Sequence, residues 1–166
     1  GLWFELLNRF RELTARSIGL SRADCVVPKS SAGQGLRAVL NAFPAGKTLR
    51  IVATRGEFDS LDVILKAYND QGYLDVTWIN ATSKEGPVAT YVIEGVLAAI
   101  TPGVDLVVVP AVFFTTGQRL LGAERLVSAA HAVGARVMLD VYHAQGVFPL
   151  HMESHGFDFM IGGSYK

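Results

Sequence analysis

Leu49-Arg50-Ile51-Val52-Ala53-Thr54, then Ser60–Asn69, then Leu74-Asp75-Val76-Thr77-Trp78-Ile79, is the stretch that decides the fold. The outer runs are short, apolar and strand-sized, and the segment between them reads as a helix. The same alternation extends outward. Upstream, Leu2–Ser17 carries Trp3, Leu6, Leu7, Phe10 and Leu13 on one helical face. Asp24–Pro28 reads as a short strand, with Cys25 as a small buried hydrophobe in it. Gly33–Phe43 reads as a helix burying Leu36, Val39, Leu40 and Phe43. Downstream come a loop through Gly86–Pro87, a helix over Thr90–Ile100 and a valine-rich strand, Val104–Pro110. A helix over Ala123–Val133 follows, then strands at Arg136–Val141 and Phe157–Ile161. Mostly apolar strands separated by helices build a largely parallel sheet covered on both faces. The expected architecture is one α/β domain, a three-layer α/β/α sandwich with a mostly parallel sheet.

Composition narrows the function. Of the 166 residues, 50% are hydrophobic and 18% charged, a low charge fraction for a free-standing domain. It suits the centre of a larger protein or a subunit with a broad interface. The chain opens directly into a helix and stops just after an apolar strand, which predicts a segment of a longer protein. Fifteen basic residues balance fifteen acidic ones. They form no basic stripe, so nucleic acid is not an expected partner. The longest apolar run, Val104–Phe114, is interrupted by Asp105 and Pro110 and is strand-sized, so no membrane partner is expected. A single cysteine excludes an internal disulfide and fits a reducing cytoplasmic setting.

In an open α/β sheet, ligands bind beyond the carboxyl ends of the strands. Lys29-Ser30-Ser31-Ala32-Gly33-Gln34-Gly35 leads from one strand into a helix, so its free N–H groups form an anion site suited to a phosphate. Arg55-Gly56-Glu57-Phe58-Asp59 follows Leu49–Thr54, and Phe113-Phe114-Thr115-Thr116-Gly117-Gln118 follows Val104–Pro110. Asp140 ends another strand, with Tyr142 and His143 next. Gly162-Gly163-Ser164-Tyr165-Lys166 leaves the last one. A phosphate cradle, an aromatic ring, a buried carboxylate, a histidine and a lysine on one rim suit pyridoxal 5′-phosphate (PLP). Its phosphate needs backbone donors, its ring a stacking partner, its pyridine nitrogen a carboxylate and its aldehyde an amine. Each feature alone has an ordinary structural explanation; their joint placement carries the reading. Arg37, Arg55 and Arg119 also lie near this rim, where solvated surface or ion pairing accounts for them more simply than an anionic substrate does.

At these residues the chain resembles the class V aminotransferase branch of fold-type I PLP enzymes, and within it the kynureninases. Asp140-Val141-Tyr142-His143-Ala144-Gln145-Gly146 is similar to that family's D-x-x-H-A-x-G segment. Phe148-Pro149-Leu150-His151, Gly156-Phe157-Asp158-Phe159 and Ser164-Tyr165-Lys166 follow the family's P-L-x-L, G-V-D-F and S-Y-K in order. Gly117-Gln118 after two aromatics resembles its Y-Y-T-G-Q stretch.

By this resemblance Lys166 forms the Schiff base with the cofactor and Asp140 pairs with the pyridine nitrogen. His143 lies near the reacting imine, Phe58 stacks on the ring, and Tyr165, Ala32 and Gly33 bind the phosphate, with Ser31 in the same turn. The implied enzyme is a homodimer acting on an amino-acid substrate, the chain being part of its large domain and the small C-terminal domain absent. The implied reaction is hydrolytic Cβ–Cγ cleavage of kynurenine to anthranilate and alanine. Transamination, desulfuration or another PLP lyase reaction on the same site stays open, as does a non-catalytic subunit. Several positions depart from the kynureninase pattern. Gly33 replaces a frequent threonine, and Leu61 stands where a second aspartate is usual, with Asp62 beside it. Phe113, Phe114 and Thr115 replace a tyrosine-rich run, Val147 replaces an asparagine, and Gly162-Gly163 replaces a bulkier pair.

Overall fold

The computed structural model describes residues 1–82 and 88–163. The elements, in chain order, are α1 (Leu2–Ser17), a 3-10 turn (Ala23–Cys25), α2 (Ala32–Leu40), β1 (Leu49–Thr54), α3 (Asp59–Asp70) and β2 (Leu74–Ile79). Then come α4 (Ile93–Ala99), β3 (Leu106–Pro110), α5 (Ala123–Ala132), β4 (Arg136–Asp140), α6 (Met152–His155) and β5 (Phe159–Ile161). The strands form one sheet in the order β2-β1-β3-β4-β5. Every pairing among them is parallel. The three-layer α/β/α reading with a mostly parallel sheet holds.

Side-chain alternation divides the core into two. Leu49, Ile51, Ala53, Leu106, Val108, Met138 and Ile161 point to the face covered by α2 and α3. Val52, Val107, Val109, Val137 and Leu139 point to the face covered by α4 and α5. The period of two along each strand thus feeds both layers. β2 lies on one side of β1, while β3 and β4 lie on the other, and the covering helix changes face with that change of direction. A constant crossover hand requires this. The sheet therefore has its topological switch between β1 and β3, where a crevice opens at the carboxyl edge.

Two expectations are corrected. Asp24–Pro28 is not a strand: Arg22 donates two hydrogen bonds to the Asp24 carboxylate, Nε at 3.2 Å to Oδ1 and Nη2 to Oδ2. The local pair accompanies a 3-10 turn in place of extended backbone, and Cys25 is exposed rather than buried. β5 begins at Phe159 rather than Phe157, because Asp158 turns inward to accept from the Val137 N–H at 2.8 Å. The apolar face of α1 is not covered among the described residues: Trp3 is 72% exposed and Leu6 56%. No helix among the described residues is long and apolar enough to cross a membrane.

Candidate functional site

The chain leaving β1 carries Gly56-Glu57-Phe58 across the switch point. Gly56 is buried against aromatic rings: a Cβ there would lie 2.5 Å from Phe113 Cδ1 and 2.9 Å from Tyr91 Cε2. Phe113 and Tyr91 are themselves stacked, centroids 4.1 Å apart and planes 5° from parallel. On this floor Phe58, Phe114 and His143 gather from the ends of β1, β3 and β4. The Phe58 centroid is 5.2 Å from Phe114 and 5.8 Å from His143.

Beside the aromatic group lies a cavity of about 230 Å³ lined by Ser30, Ser31, Ala32, Phe58, Ser60, Asp140 and Tyr142. Asp140 is 4% exposed at the end of β4. Its Oδ1 accepts from the Tyr142 N–H at 2.8 Å, so the carboxylate is oriented by the turn that follows it. Ser31 caps α2, its Oγ accepting from the Gln34 N–H at 3.2 Å. That cap fixes the helix start whose remaining N–H groups are the anion donors. Gly33 lets α2 approach α3: a Cβ there would meet Ile64 Cδ1 at 2.8 Å. The wall thus offers an aromatic face, a buried carboxylate and a hydroxyl-rich helix start, which fit the ring, the pyridine nitrogen and the phosphate of PLP.

A second buried carboxyl lies next to Phe58. Glu57 is 2% exposed. Its Oε1 accepts from Thr54 Oγ1 at 2.7 Å, whereas Oε2 is buried with no hydrogen-bond partner among the described residues. Burial pushes the carboxyl up to about 8, the Thr54 hydrogen bond opposing and the charge of Asp140 adding. Glu57 is therefore a neutral acid at pH 7.

Of the residues expected to form the site, Ser31, Ala32, Phe58 and Asp140 line the cavity, and His143 joins it through Phe58. Gly33 lies in the wall of α2 behind them. Ser164, Tyr165 and Lys166, like the Gly86–Pro87 loop, lie outside the described residues. Four more residues join the candidate site to which the sequence reading assigns no role: Ser30, Ser60 and Tyr142 line the cavity, and Phe114 stands over Phe58. Ser30 and Tyr142 are visible in the two site segments, but nothing in their spacing marks them as lining.

Other candidates resolve into structure. Leu61 is fully buried in the core, so an aspartate there would be stranded, and Asp62 pairs with Lys66 one helical turn on. Phe113 is floor rather than pocket. Arg55 lies over Trp78, 4.6 Å from its ring centroid, and Arg119 over Phe148 at 4.1 Å. Gln118 is engaged with the backbone of Tyr91.

The aminotransferase class-V family profile matches residues 3–166. Kynureninase of Bacillus mycoides (strain KBAB4) is 27% identical over 172 residues, covering 99% of this chain and 38% of that protein. Kynureninase of Geobacillus thermodenitrificans (strain NG80-2) is 29% identical over 168 residues, with the same two coverages. The chain thus spans under two fifths of the length of these relatives. Among solved structures, the cysteine desulfurase CsdA of Escherichia coli superposes with a TM-score of 0.79 at 18% identity, covering 95% of this chain and 39% of that one. A C-DES variant with glycine covalently linked to its PLP cofactor also gives 0.79, at 16% identity, covering 95% and 41%. The chain belongs to the aminotransferase class V family, whose cofactor is pyridoxal phosphate.

Proposed function

We propose that this chain is the cofactor-binding part of a kynureninase-like enzyme, which cleaves the Cβ–Cγ bond of kynurenine hydrolytically to anthranilate and alanine. The observation that carries the proposal is the convergence of Phe58, His143 and Asp140 beside a cavity that Ser31 closes at the start of α2. Kynureninase relatives that match 99% of the chain support the choice of reaction.

In this reading Phe58, in the cavity wall, would stack on the cofactor ring. Asp140, buried and oriented by the Tyr142 N–H, would accept a hydrogen bond from the protonated ring nitrogen, an arrangement that a low-dielectric site strengthens. The N–H groups at the start of α2 and the Ser31 turn hold the phosphate. The bound cofactor supplies an electron sink for charge developed at the substrate α-carbon. Lys166 would carry the cofactor and its Nζ would move the substrate α-proton, and Tyr165 would contact the phosphate. His143, whose ring centroid lies 5.8 Å from that of Phe58, would stand near the reacting side of the bound cofactor. A desulfurase needs a thiol at the substrate. The chain's one cysteine, Cys25, is exposed on the 3-10 turn and is not part of the cavity wall.

The same reading makes residues 1–166 part of a large domain, with a small C-terminal domain beyond it, in a cytoplasmic homodimer. The full-length protein incubated with kynurenine is expected to release anthranilate and alanine, and release of neither overturns the substrate. Lys166→Ala is expected to abolish the visible absorbance of the cofactor-loaded protein. Retention of that band removes Lys166 from its role.

A further inference from the structure

Tyr142 and Gly163 leave the sheet side by side. The β4–β5 register pairs Asp140 with Ile161, and each of these two residues lies two positions beyond. A Cβ on Gly163 would fall 2.4 Å from Tyr142 Cε1, 2.7 Å from Cζ and 2.9 Å from the phenolic oxygen. The obstruction is the ring itself rather than a flexible tip. No larger residue fits at 163 while the ring keeps this place. This gives the physical reason for a glycine where the kynureninase pattern carries a bulkier residue: the space belongs to Tyr142.

The ring packs on the face of the sheet that carries α2 and α3. That is the face on which Ser31 caps α2. Its own N–H is tied to the Asp140 carboxylate at 2.8 Å, so the main chain below the ring is fixed by the pocket. Tyr142 shares the cavity wall with Ser30, Ser31 and Ser60, which makes four hydroxyl-bearing residues around one small space. A phenol is a good donor to an anionic oxygen, and a charge-assisted hydrogen bond of this kind contributes more than a neutral one.

We infer that Tyr142 is a further cofactor-binding residue, its phenol serving the phosphate ester of the bound cofactor, and that position 163 is glycine in order to seat its ring. The inference rests on the cavity being the cofactor pocket. It assigns to a position that varies in the D-x-x-H segment a role in phosphate binding alongside the helix start.

The test compares pyridoxal 5′-phosphate with pyridoxal, which lacks the phosphate, by absorbance titration of the full-length apoenzyme. Tyr142→Phe is expected to raise the dissociation constant for the phosphorylated compound about tenfold, the loss of one hydrogen bond to a charged group. The constant for pyridoxal should stay unchanged. Equal weakening of both, or of neither, overturns the phosphate role. A wild-type protein that takes up neither compound overturns the cofactor reading of the cavity, and this inference with it. Gly163→Ala tests the seat independently. It is expected to weaken binding of the phosphorylated cofactor when Tyr142 is present and to have no further effect in a Tyr142→Ala background. The same loss in both backgrounds overturns the pairing.

Discussion

The side-chain amide of Gln118 is bonded to both backbone groups of Tyr91: Oε1 accepts from the N–H at 2.9 Å, and Nε2 donates to the carbonyl. The backbone carbonyl of Gln118 in turn accepts from the Phe113 N–H at 2.9 Å. The loop after β3 thus grips the segment before α4, and the stacked Tyr91–Phe113 pair is locked from both sides. Gln118→Ala is expected to cost about 1–3 kcal/mol, since two part-buried backbone groups lose their partners. Gln118→Glu is expected to lose most of that as well, because a carboxylate cannot donate to the Tyr91 carbonyl. Denaturant unfolding of the full-length protein checks this. A Glu variant as stable as wild type would show that the donated bond contributes nothing.

Gly56 sits where this locked stack meets β1. Its φ is ordinary, so the constraint is space rather than backbone conformation. Gly56→Ala places a methyl 2.5 Å from a Phe113 ring carbon that cannot retreat from Tyr91. The expected cost is about 1–3 kcal/mol. Phe113→Leu in the same chain should recover part of it by opening the floor. If the double variant is no more stable than Gly56→Ala alone, the ring is not the obstruction.

Glu57 predicts a pH dependence of stability. Its folded pKa is raised, to about 8, above an unfolded value of about 4.3. The folded state therefore holds a proton that the unfolded state releases. Stability is complete below the unfolded value and is lost as the pH rises toward 8. Glu57→Gln keeps the neutral shape at every pH. The stability of wild type relative to Glu57→Gln is expected to fall between about pH 5 and pH 8, by at most about 1.4 kcal/mol per unit. Parallel stability curves over that range would show that Glu57 is ionised in the fold.

Much of this fold is legible in the chain because local rules and tertiary packing agree. β1, β2 and α1 begin and end where their apolar patterns do. Asp140 is legible for the opposite reason: a carboxylate at the end of a valine- and leucine-rich strand breaks the pattern, and burial demands that it have work to do. What escapes depends on contacts between distant segments. Gln118 looks like a rim residue until its amide is seen on Tyr91. Tyr142 occupies an unremarkable position until Gly163, across the strand exit, is seen to yield to its ring. Glu57 has no periodicity that separates it from a solvated charge. α1 misleads in the other direction, since its apolar stripe gives a helix without saying what covers it.

Gly156-Phe157-Asp158-Phe159 matches a family motif, and its geometry predicts a purely structural role. Gly156 ends α6 at φ 76°, a conformation that favours glycine. Asp158 then turns its carboxylate under β4. Oδ1 accepts from Arg136 Nη1 at 2.9 Å, and Oδ2 meets His131 Nε2 at 2.9 Å and accepts from the Val137 N–H at 2.8 Å. Burial opposes ionisation here, but these three partners outweigh it and hold the carboxyl below its ordinary value. Its contribution is therefore present above the unfolded pKa, about 3.9, and is lost as the pH falls through the folded value. Asp158→Asn is expected to lower stability by about 1–3 kcal/mol at pH 7 and to leave cofactor affinity unchanged, because Asp158 is not part of the cavity wall. The gap between wild type and variant should close as the pH drops below about 4. A gap that persists undiminished in acid would show that the carboxylate charge is not what joins β4 to β5.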